Sequence, residues 1–128
     1  MFFFGKKKEK EAAEVTPAAS VDKEQIIKNA EAKAKELESL TGEARVPVLN
    51  ELGNLYFQAA ELEKAAKFYE ESLETKREMG KTYTNLMSIY NKLRQQAAKN
   101  KDDEKLNYYM SKVQDMMQMS KDMLRGKA

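Results

Sequence analysis

The side chains that most often carry chemistry are missing from this sequence. Its 128 residues include no cysteine and no histidine. A disulfide framework, a thiolate zinc site and an imidazole general base are therefore excluded. What remains is carboxylate and amine, 21 Asp and Glu against 23 Lys and Arg. These alternate along stretches such as Glu31-Ala32-Lys33-Ala34-Lys35-Glu36-Leu37-Glu38. Such spacings make ion pairs along an exposed helix face, not two carboxylates held in a pocket. No glycine-rich phosphate loop, nucleophile elbow or metal-ligand spacing occurs. The expectation is a chain with no catalytic residue, no metal and no cofactor. A net charge of +2 gives no reason to expect nucleic acid as a partner.

Two constellations point to binding instead. The chain opens with Phe2, Phe3 and Phe4, then Gly5, then Lys6, Lys7 and Lys8. Aromatics enter a lipid interface and lysines attract anionic headgroups, at about 1 kcal/mol each near the surface. The same seven residues fit a docking tail for a protein, and a single short apolar cluster supports only weak, reversible membrane contact. Near the other end, Met110, Met116, Met117, Met119 and Met123 hold five of the chain's 8 methionines. They do not share one narrow stripe, so some are expected at the surface. Methionine adapts its shape to varied apolar partners. Met116, Met119 and Met123 are the candidates for hydrophobic docking or self-association.

The elements that would position these residues are helices. Few Gly and Pro, with many Ala, Glu, Lys and Leu, favour long helices over sheets. Residues 1–20 lack an apolar stripe and read as a disordered tail, and residues 21–128 form one helical domain. Ile26, Ala30, Ala34 and Leu37 share one face of a helix from about Asp22 to Leu40, closed by Gly42. A second helix begins near Arg45, with Pro47 in its first turn, and turns Val48, Leu49, Leu52, Leu55 and Tyr56 inward. A third spans about Leu62 to Glu78 and is stopped by Gly80. A fourth runs from about Lys81 to Ala98. A fifth, from about Asp103 to Leu124, has Leu106, Met110, Val113, Met117 and Leu124 as its face, with Tyr109 and Met116 beside it. Short joins make consecutive helices antiparallel neighbours. No apolar run approaches the roughly 20 residues of a membrane span. The aromatic trio is too short for a signal peptide and precedes its lysines. The expected location is cytoplasmic, with peripheral membrane contact as the alternative.

One stretch is patterned beyond amphipathicity. Leu49 is followed by Leu52-Gly53 and Tyr56, and Ala65 precedes Tyr69 by four. This resembles the tetratricopeptide repeat, in which a large apolar residue, Leu-Gly, Tyr, a later Ala and an aromatic recur at those spacings. The match covers residues 46–79, about one repeat of ~34. Leu49 stands where Trp is frequent, and Arg77 where a helix-ending Pro is usual. A degenerate copy follows from Gly80, where Tyr83, Leu86, Met87 and Tyr90 echo Leu49, Leu52, Gly53 and Tyr56. Its second half arrives about seven residues late, two helical turns.

The resemblance implies an all-α fold of about five helices, antiparallel pairs stacked as a short solenoid. It also implies a concave groove lined by the first helix of each pair. Carried onto this chain, the groove would use Asn50, Asn54, Phe57 and Gln58, then Thr84, Asn85, Ser88, Asn91 and Lys92. Asparagine amides both donate and accept, which suits a peptide backbone. The implied function is a non-catalytic adaptor or scaffold that binds a peptide or partner helix. The alternatives are a peripheral membrane scaffold using the Phe-Lys tail and a self-assembling subunit using the Met-rich helix, with a homodimer as its simplest form.

Overall fold

A computed structural model describes residues 20–126. The elements in chain order are α1 (Ser20–Ala34), α2 (Val46–Gln58), α3 (Leu62–Thr75), α4 (Lys81–Lys99) and α5 (Asp103–Leu124). Short 3-10 segments, Lys35–Ser39 and Gly42–Arg45, join α1 to α2. The described chain contains no strand. Each helix packs on the next, α1 on α2, α2 on α3, α3 on α4 and α4 on α5, so the fold is an all-α stack of antiparallel neighbours.

The core follows the apolar period. Ala30, Leu49, Leu52, Ala65, Tyr69 and Ile89 are fully enclosed, and Val48, Tyr56, Phe57, Ala66, Leu73, Leu86, Tyr90 and Leu93 are buried around them. Gly53 explains the tightest contact. A Cβ at that position would stand 2.3 Å from Tyr69 Cε1. The ring of Tyr69 occupies the space an ordinary side chain would take, which lets α2 and α3 approach closely.

The turns within the two helix pairs are built alike. After α2, the Ala60 amide donates to the Phe57 carbonyl and the Glu61 amide to the Tyr56 carbonyl. After α4, Lys101 donates to Ala98 and Asp102 to Ala97 in the same pattern. Ala60 and Lys101 both take the left-handed conformation, at φ of 61° and 57°. This is the Schellman cap without its usual glycine. The two caps are 41 residues apart, which is the repeat length plus the seven-residue delay of the echo. Asp102 then caps α5 by accepting from the Lys105 amide at 3.1 Å.

Three features differ from the sequence expectation. Residues 35–39 tighten into a 3-10 turn instead of continuing α1, and the Arg45 guanidinium takes the Leu37 carbonyl at 3.0 Å. Arg45 also pairs with Glu71 at 2.7 Å, tying this corner to α3. Helix α3 stops at Thr75, not at Glu78, because Lys76 turns extended. Beyond Leu73 the next large apolar residue is Met79, which is exposed, so nothing holds a further turn against α4. Gly80 accordingly begins α4 instead of ending α3. On α5, Tyr109 and Met116 are the buried pair, while Met110, Met117 and Leu124 are exposed. Contacts with α4 decide this: Tyr109 lies against the Tyr90 ring, and the Tyr83 hydroxyl donates to the Met116 carbonyl at 2.8 Å.

Candidate partner-binding surfaces

The asparagines expected in a groove are engaged within the fold. Asn50 on α2 accepts from Ser72 on α3 at 2.5 Å and from Thr82 on α4 at 2.8 Å. One turn along α2, Asn54 accepts from the Tyr69 hydroxyl at 2.5 Å. That hydroxyl accepts in turn from Asn85 Nδ2 on α4 at 3.2 Å. Each relay crosses all three helices, and together they fix the register of α2, α3 and α4. Burial holds the Tyr69 phenol in its protonated form, raising its pKa to about 12, against a smaller downward pull from the Asn85 bond.

This alters the list of accessible positions. Phe57 and Asn85 are 4% and 3% exposed, so neither presents a side chain to a partner. Phe57 belongs to the core, and Asn85 is a register bond. Asn50 and Asn54 are half-buried with their carbonyl oxygens already occupied. Asn91 accepts a long bond from Arg94 at 3.4 Å. Gln58 and Ser88 are half-buried, and Thr84 and Lys92 are exposed. Replacing Asn85 with Ala is expected to cost about 1–3 kcal/mol, because a buried bond is lost. The neighbouring Thr84→Ala should stay within about 0.5 kcal/mol. Urea unfolding of the two variants measures the contrast, and equal losses would remove the structural role of Asn85.

The methionines divide as well. Met116 is 4% exposed and belongs to the core, so it cannot dock a partner. Met119 and Met123 are half-buried, and Met119 packs against the core edge. Phe2, Phe3, Phe4, Lys6, Lys7 and Lys8 lie outside the described residues.

A different surface emerges between α3 and α5. Two cavities of about 300 and 340 Å³ follow one another there and share Glu70 and Tyr90. They form one cleft. Its apolar lining is Ala66 and Leu73 of α3, Tyr90 and Leu93 of α4, and Tyr109, Met116 and Met119 of α5. Glu63, Lys64, Lys67, Glu74 and Arg77 from α3 and its end, with Lys112 and Asp115 from α5, add charge of both signs. Between the two cavities the Tyr90 hydroxyl donates to Glu70. Burial, then that bond, raises the Tyr90 pKa, so the phenol stays a donor at neutral pH. At one end Tyr108 is 53% exposed, stands edge-on to Tyr109 and is covered by the Lys112 ammonium.

Sequence reasoning passed over this cleft because its two walls are separated by a full helix in the chain. Of its lining, only Met116 and Met119 stood among the docking candidates. Among the described residues no group of three or more Asp or Glu could hold a metal ion. No described helix is long and apolar enough to cross a membrane. No family model, no curated protein and no solved structure matches the chain.

Proposed function

We propose that this chain is a non-catalytic, cytoplasmic protein-binding module of tetratricopeptide-like helix pairs, and that it receives an amphipathic partner segment in the cleft between α3 and α5. The observation that carries the proposal is the cleft itself, an apolar floor supplied by three helices beneath edges of mixed charge. The close approach at Gly53 and the matching caps after α2 and α4 support the repeat kinship.

The chemistry of the cleft describes its occupant. Cavities of 300–340 Å³ lie at the low end of small-molecule pockets and suit single apolar side chains. From Glu63 to Glu74 the α3 wall runs about 16 Å, three helical turns. A partner segment of that length would lower apolar anchors between Leu73 and Met119 and offer both charge signs to the edges. Met119 can repack around different anchors. The relays, by contrast, occupy the Oδ1 acceptors of Asn50 and Asn54 and bury Asn85, so three of the expected groove asparagines are committed in part or whole to the fold.

A photoactivatable crosslinking residue placed in the native cell tests this. At Lys112, on the cleft edge, it is expected to trap a protein adduct of discrete mass. At Ser88, in the groove, it should trap none. Adducts from Ser88 alone would return binding to the groove, and no adduct from either position would remove the proposal.

A further inference from the structure

The opposite flank of α5 carries a second, separate surface. Leu106, Met110, Val113, Met117 and Leu124 recur at spacings of four, three, four and seven, a coiled-coil stripe. The cleft residues Lys112, Asp115 and Met119 lie on the other side of the same helix. Met110, Met117 and Leu124 are 43%, 51% and 82% exposed, three of the five exposed large hydrophobics among the described residues, while Leu106 and Val113 are half-buried and Val113 also packs against the core. Asn107, Gln114 and Gln118 border the stripe, and its charges are gathered at the ends. Asp103 and Glu104 stand in the first turn of α5, Lys121 and Asp122 offset each other in the last, and Arg125 lies just beyond.

We propose that two copies of the chain pair through this flank, with their α5 helices antiparallel. An antiparallel pair sets Leu106 opposite Leu124 and Val113 opposite Met117. In that register Arg125 of each copy falls beside Asp103 and Glu104 of the other, whereas a parallel pair would place like charges together. A different apolar helix would fill the stripe equally well. The acidic first turn of α5 and Arg125 just past its end, brought together by a two-fold rotation, argue for a second copy.

Helix α5 has 22 residues, about 33 Å of length. On α4, the side opposite Asn85 carries exposed Ala98 with half-buried Met87 and Asn91, Met87 also packing against the core. A face two helices wide covers about 650 Å² per copy, or about 1,300 Å² in total, within the range of stable dimers. The cleft on the other flank stays open in such a pair, so dimerisation and partner binding are compatible.

Sedimentation equilibrium of the full chain is expected to give twice the single-chain mass of 14.7 kDa. The double variant Met110→Glu/Met117→Glu should give the single-chain mass with unchanged helicity. Because the sequence has no cysteine, single cysteines report the orientation. Gln114→Cys lies near the two-fold axis and should form a disulfide between copies. Asn107→Cys should not, because its mate lies about 24 Å away along the helix axis. Should the charged variant lose helicity, the cysteine pair still decides. A single-chain mass for the intact protein, a dimer that persists in the folded charged variant, or equal crosslinking at both positions would overturn the proposal.

Discussion

Gly53→Ala is expected to destabilise the protein by about 2 kcal/mol, although the same change in an ordinary helix interior stabilises by about 1 kcal/mol. The new Cβ would fall 2.3 and 2.4 Å from Tyr69 Cε1 and Cδ1. Tyr69 has no exposed surface to retreat into. Its hydroxyl is also fixed by Asn54 at 2.5 Å and Asn85 at 3.2 Å, so the ring cannot swing without breaking both relays. Overpacking costs about 1–3 kcal/mol and each lost bond about 1 kcal/mol, which together outweigh the gain in helix propensity. Gly80→Ala is the control, because nothing lies within 4 Å of its added Cβ. Urea unfolding reads both variants. A Gly53→Ala protein as stable as the parent would show that α2 and α3 are not held at the distance described.

Raising the pH from 10 to 12 is expected to remove about 2 kcal/mol of stability through Tyr69 alone. Its phenol titrates near 10.0 when unfolded and near 12 when folded. The folded chain therefore keeps its proton where the unfolded chain has lost it. The contribution is complete below pH 10 and declines as the pH rises through the folded value. Tyr90 and Tyr109 shift in the same direction, chiefly through burial. The informative quantity is therefore the difference from Tyr69→Phe. That variant should be less stable at pH 7, by about 1 kcal/mol for each hydrogen bond lost. It should also lose stability more slowly above pH 10. Parallel curves for the two proteins would contradict the buried, bonded state of Tyr69.

These expectations centre on a residue whose role the sequence showed only in part. The spacing of Gly53, Tyr56, Ala65 and Tyr69 was readable, as were five helices with edges within about three residues of those observed, apart from the end of α1. Local rules set those features: apolar period, the turn at Gly42, Pro47 near the start of α2, and the polar turn before Asp103. The early stop of α3 at Thr75 was not readable, because it depends on where α4 ceases to offer contact. Three of the five residues expected on the inward face of α5, Met110, Met117 and Leu124, are exposed for a related reason, while Val113 does pack against the core. The helix carries two adjacent apolar stripes, and periodicity cannot choose between them. The rings and hydroxyls of α4 make the choice through Tyr83 and Tyr90.

The site was less legible than the fold. Asn50, Asn54 and Asn85 stood at groove positions by family resemblance, and a polar residue on a helix face reads the same whether it meets a ligand or a neighbouring helix. Their partners Ser72, Thr82 and Tyr69 are 22, 32 and 15 residues away for the two α2 asparagines. No local pattern connects residues at such separations. Once those bonds are made, Asn85 offers a partner nothing, and a charge introduced there would be a folding lesion, not a binding lesion. The cleft between α3 and α5 depends on the stacking of three helices and was invisible for the same reason.

The central claim is that binding has its seat in this cleft and not in the groove. The most direct measurement is recovery of the Lys112-trapped adduct by two further variants, Met119→Arg in the cleft and Lys92→Glu in the groove, each checked for unchanged helicity. Met119→Arg is expected to reduce the adduct at least ~10-fold, a loss of about 1.4 kcal/mol, while Lys92→Glu leaves it as in the parent. An adduct that survives Met119→Arg and disappears with Lys92→Glu would contradict the account.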